Sequence, residues 1–120
     1  MEFNEYQKLA IKTDLDAKFL GEVMKKHTLN TVAFLDKVLG VAGEAGEFAD
    51  KIKKIMRDKK GSFDDNDRDA IIKELGDVLW YVAVVSLYLG VPMSELAERN
   101  IEKLQSRARR NTLTGSGDDR

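Results

Sequence analysis

The chain has 120 residues, 20 basic and 21 acidic side chains, a net charge of −1, no cysteine and one histidine. A domain of this size buries roughly two thirds of its unfolded surface and needs no covalent staple. The composition excludes a disulfide framework, thiolate zinc ligation, a cysteine nucleophile and any chemistry needing two imidazoles, and the balanced charge argues against a nucleic-acid binder.

One proline, nine glycines and no alternating apolar pattern predict an all-α chain. The opening residues Met1-Glu2-Phe3-Asn4-Glu5 carry neither a basic nor an apolar signal region, so a cytoplasmic protein is expected. The first helix is expected from about Asn4, where Asn4 and Gln7 have capping-box spacing, past Leu9 and Leu15 towards Phe19. His27, in a lysine-rich segment, reads as a surface residue.

The second helix is expected from near Asn30 to about Lys60, where Gly61 stops it. It carries Glu44-x-x-Glu47 and three interior glycines, Gly40, Gly43 and Gly46, each costing roughly 1 kcal/mol relative to alanine. Missing side chains there permit close approach of another helix or of a ligand. The basic stretch towards Lys60 reads mostly as a solvated helix end. Lys54, on the Glu44/Glu47 side, is its candidate phosphate contact.

After the loop Gly61 to Asn66, a third helix is expected from about Asp67 to Leu89. It carries Glu74-x-x-Asp77 and is then apolar almost all round from Val78 to Val85. A helix without a polar face must be enclosed, and three other helices in one chain can hardly do so. A four-helix-type bundle completed by a second subunit is therefore expected. The apolar run is too short to span a bilayer, and no membrane association is expected. Gly90-Val91-Pro92 breaks the chain, Pro92 suits the first turn of a fourth helix ending near Arg110, and residues 111–120 read as a polar tail to a single domain, 1–110.

The two acid pairs carry the chemistry. Spacing of i, i+3 puts each pair on one helix face, and antiparallel neighbours joined by a short loop bring them to similar heights. Charged helix faces are usually only solvated, and Glu47 with Lys51 has ion-pair spacing. Acids beside the most apolar helix, however, cost several kcal/mol each without a compensating cation. An oxygen-only donor set suits Mg²⁺, with Mn²⁺ a substitute, and His27 lies too far away for di-iron ligation. Acids plus metal imply an anionic substrate. Asn100, Lys103 and Arg107 on the fourth helix are the complement, and Trp80 and Tyr81 read as core or as support for a nucleobase.

The stretch Gly43 to Lys54, followed by Lys73-Glu74-Leu75-Gly76-Asp77-Val78-Leu79-Trp80-Tyr81, Asn100-Ile101-Glu102-Lys103-Leu104 and the tail Thr112 to Asp118, resembles MazG-like nucleotide pyrophosphohydrolases. In this chain 26 residues separate Glu47 from Glu74. The resemblance implies an all-α homodimer or homotetramer that hydrolyses nucleoside triphosphates to monophosphate and diphosphate. It places Mg²⁺ on Glu44, Glu47, Glu74 and Asp77, and substrate on Asn100 and Lys103. For the hydrolysis it implies, Glu44 is the candidate to take the water's proton, with Glu47 nearly equal. A narrower dUTP, dCTP or phosphoribosyl-ATP specificity stays open, as does a non-catalytic nucleotide- or protein-binding module. The tail departs from the subgroup at Asn111-Thr112 and Thr114, where Gly-Thr and a histidine are common.

Overall fold

A computed structural model describes residues 1–21 and 31–118. Four α-helices organise them: α1 Phe3–Ala10, α2 Val32–Lys59, α3 Asp65–Tyr88 and α4 Met93–Arg109. No strand occurs among the described residues, and the chain is all-α. His27 and the last two tail residues lie outside the described residues. No single described helix is long and apolar enough to cross a membrane.

Local chemistry sets the helix ends. The Thr31 side chain accepts a hydrogen bond from the Phe34 N–H and starts α2. Lys60 and Gly61 then take left-handed conformations (φ 52° and 83°) and stop it. Asp64 and Asp67 cap each other's backbone N–H groups in a capping box that opens α3. Pro92 precedes α4 in extended conformation (ψ 143°), so it caps the helix and is not part of its first turn.

The first helix departs most from expectation, ending at Ala10 instead of running towards Phe19. Beyond it lie two single 3₁₀ turns, Ile11–Thr13 and Ala17–Phe19. The Thr13 hydroxyl donates to the Ala10 carbonyl, and the chain turns so that Asp14 faces inwards. Asn4 and Gln7 do not cap α1, which starts at Glu2 without a side-chain cap. They tie α1 to the corner between α3 and α4. Asn4 exchanges two hydrogen bonds with Ser94. Buried Gln7 donates to the Ala83 and Val91 carbonyls and accepts from the Met93 N–H. Such groups are satisfied because burying them unpaired is costly.

The core lies at this corner: Ala10, Ala33, Ala83, Val84, Tyr88 and Met93, flanked by Tyr6, Ile11, Leu20, Phe34 and Trp80. From it α2 and α3 project as an antiparallel hairpin, while α4 leaves α3 at a bend of 99°. Among the described residues, the other helices bury only the C-terminal half of α3. Ile72 and Leu75 are 57% and 47% exposed, and Asp77 is exposed as well. The accessible surface, 8640 Å², exceeds the roughly 6,500 Å² usual for a compact monomer of this mass. The radius of gyration is 17.2 Å, against about 13.6 Å for a compact chain of this length.

Candidate metal centre

Successive contacts along the α2–α3 hairpin build the site. Nearest the core, the Tyr81 ring edge lies against α2 at Gly40. One turn further out, Glu44 meets Glu74 and Asp77, and one carboxylate oxygen from each lies within 4.8 Å of the others. Beyond them the Lys51 ammonium stands 3.4 Å from a Glu74 oxygen. Glu47 points from the same stretch of α2 but is exposed and outside the trio. Three of the four acids expected from the sequence are thus brought together, and the fourth borders them.

The electrostatics are those of clustered like charges. Burial, and then the like charges of Glu47, Asp77 and Glu74, push the Glu44 carboxyl above its ordinary value. Lys51 is one charge against several and is itself 44% exposed in its side chain. An oxygen-only set of this kind fits a hard divalent ion and offers nothing to a soft one. The Tyr6 phenol on α1 is held above its ordinary value by burial and then by the Asp77 charge.

The other candidate residues distribute differently. The Trp80 indole N–H donates to Thr13 Oγ1 at 2.8 Å, and its ring meets Tyr81 edge-on at 4.8 Å. Both aromatics are therefore engaged in packing. Lys54 pairs with Asp50, which Lys54 and then Lys53 hold down to about 2. Asn100 and Lys103 line a groove of about 530 Å³ together with Phe3, Met93, Leu96, Ala97 and Arg99. Arg107 is 5% exposed, and its Nη2 donates to the Gly117 and Asp118 carbonyls and the Asp118 carboxylate. At ~1.5 Å per residue Asp77 lies ~18 Å from the α3–α4 corner and Asn100 ~11 Å, so the 99° bend separates them by roughly 20 Å within one chain.

One buried cluster escaped the sequence reading altogether. Lys37 reaches Asp14 and Asp16 at 2.9 Å and Asp36 at 3.0 Å. The Tyr88 hydroxyl donates to Asp14 at 3.0 Å and lies equally near the Asp16 carbonyl. Burial alone would lower the Lys37 pKa, but hydrogen bonds to Asp16, Asp14 and Asp36 raise it. Asp14 and Asp16 sit where a helix was expected, so nothing in the spacing brought them to Lys37.

A family model described as the MazG nucleotide pyrophosphohydrolase domain matches residues 34–111. The chain is also 51% identical over 82 residues to the gene 37 protein of Mycobacterium phage L5, covering 68% of this chain and 72% of that protein. No solved structure matches significantly.

Proposed function

The chain belongs to the MazG nucleotide pyrophosphohydrolase domain family, and on that premise we propose that it cleaves nucleoside triphosphates between the α- and β-phosphates, giving monophosphate and diphosphate. The observation carrying this reading is the convergence of Glu44, Glu74 and Asp77 oxygens within 4.8 Å, with Lys51 the cation at hand. These residues would hold Mg²⁺, which supplies positive charge against the polyphosphate and acidifies water for attack. Glu47, adjacent on α2 and outside the trio, is better placed than Glu44 to accept the water's proton.

Asn100 and Lys103 bind the phosphates, with Lys54 at the outer edge, while Arg107, tied to the tail, and Trp80 and Tyr81, engaged in packing, support the site without contacting substrate. The separation of about 20 Å across the α3–α4 corner supports a shared site, in which α4 of one copy serves the acids of another. The exposed apolar half of α3 supports the same homodimer or homotetramer. Pyrophosphate release over standard, deoxy and oxidised triphosphates with Mg²⁺ tests the reading. Wild type turns over at least one class, and Glu74→Gln loses about 100-fold or more, on the scale of several kcal/mol for lost metal stabilisation. A broad profile including oxidised nucleotides identifies nucleotide-pool clearance, and a single pyrimidine substrate identifies a narrower enzyme. No release from wild type across the panel overturns the proposal.

A further inference from the structure

We propose that Gly40 is a positioning residue for the acid cluster: the notch left by its absent side chain seats the Tyr81 ring and fixes the register in which Glu44 faces Glu74 and Asp77. The inference rests on the proposed function only in treating that cluster as a cation site.

Glycine is a poor helix former, so its presence inside a 28-residue helix needs a reason. The three interior glycines of α2 are not equivalent. A Cβ at Gly43 or Gly46 would meet nothing within 4 Å. At Gly40 it would lie 2.0 Å from Tyr81 Cε1 and 2.4 Å from Cζ, far inside contact distance. On one side the ring has no room to swing aside. Trp80 meets it edge-on at 4.8 Å, and the Trp80 indole is itself tied to Thr13.

The notch also lies where a shift would matter. Gly40 is one turn before Glu44 on α2, and Tyr81 is one turn after Asp77 on α3. Residues one turn apart share a helix face and move together. Pushing the ring outward together with its helix, or sliding α3 past α2, therefore moves Asp77 and Glu74 relative to Glu44. Metal ligands tolerate little such movement, because Mg²⁺ and Mn²⁺ demand near-octahedral oxygen geometry.

Titration of Mn²⁺ without nucleotide, together with thermal unfolding, tests the proposal on wild type, Gly40→Ala, Tyr81→Ala, the double variant and Gly43→Ala. Gly40→Ala is expected to bind Mn²⁺ at least ~10-fold more weakly. Gly43→Ala binds as wild type, and the double variant returns to within about threefold of Tyr81→Ala. The Tm effect changes sign: Gly40→Ala lowers Tm by about 5 °C in the natural background and raises it in the Tyr81→Ala background, where alanine's helix propensity is all that remains. Unchanged Mn²⁺ affinity in Gly40→Ala, or an equal Tm loss in both backgrounds, overturns the proposal. A wild type that takes up no Mn²⁺ overturns the proposed function, and the sign of the two Tm changes still decides whether the notch seats the ring.

Discussion

Lys37 ties the N-terminal segment to the helical hairpin. Its ammonium is enclosed by three carboxylates, one of them, Asp14, with a fully buried side chain. Lys37→Ala leaves that carboxylate without its counter-charge, at a cost of about 3–5 kcal/mol, and urea unfolding should record a loss of that size. Replacing Asp14 and Lys37 together by Asn and Met should cost less than Lys37→Ala, since no unpaired charge remains at either position. At the other end of the chain, Arg107 and then Lys103 hold the Asp118 carboxyl below its ordinary value. A depressed carboxylate favours the folded tail above the ordinary range near 3.9, and that preference disappears as pH falls through the depressed value. The carboxyl ¹³C shift of Asp118 should titrate below 3.9 in wild type and near it in Arg107→Ala. The sequence pointed to Arg107 as a phosphate ligand but not to its tail contacts, because irregular backbone leaves no periodic trace.

Helix boundaries decide whether the acid pairs meet, and the α2–α3 turn fixes the hairpin's outer end. Lys60 and Gly61 both have positive φ, and a Cβ at Gly61 would crowd Met56 Sδ at 3.1 Å. Gly61→Ala should destabilise by roughly 1–2 kcal/mol, whereas Gly43→Ala, in open space inside α2, should stabilise by up to about 1 kcal/mol. Thermal unfolding of the two variants side by side checks the opposite signs. Much of this part of the fold was legible in the sequence, since Gly61 and the i, i+3 pairs are local signals with local causes. The Asp64/Asp67 capping box was not: it opens inside the expected loop, and α3 begins at Asp65 instead of about Asp67. Nor was the end of α1, because Asn4 and Gln7 have the spacing of a cap yet spend their hydrogen bonds on Ser94, Ala83, Val91 and Met93, 76 to 90 residues away. Gly40 stood out in the sequence as one of three glycines, and only its contact with Tyr81 separates it from the other two.

Taken as a whole, the molecule has more surface than one copy of its core can use. The acids stand on the half of the α2–α3 hairpin that the other described residues leave uncovered, beside Ile72, Leu75 and Leu79. The basic face of α4 points away across a 99° corner. Both features are met at once if two copies exchange faces, so that the acids of one chain lie against α4 of the other. Light scattering at micromolar concentration should then give at least twice 13.5 kDa. Mixing two inactive variants tests the exchange more sharply. Glu74→Gln lacks only the acid side, and Lys103→Ala lacks only the phosphate side. If each site draws its two halves from different chains, half of the randomly reassorted dimers carry one intact site. Pyrophosphate release from an equimolar mixture should then recover to roughly a quarter of the wild-type rate. If each chain complements its own acids, every site in the mixture keeps one defect, and no activity returns.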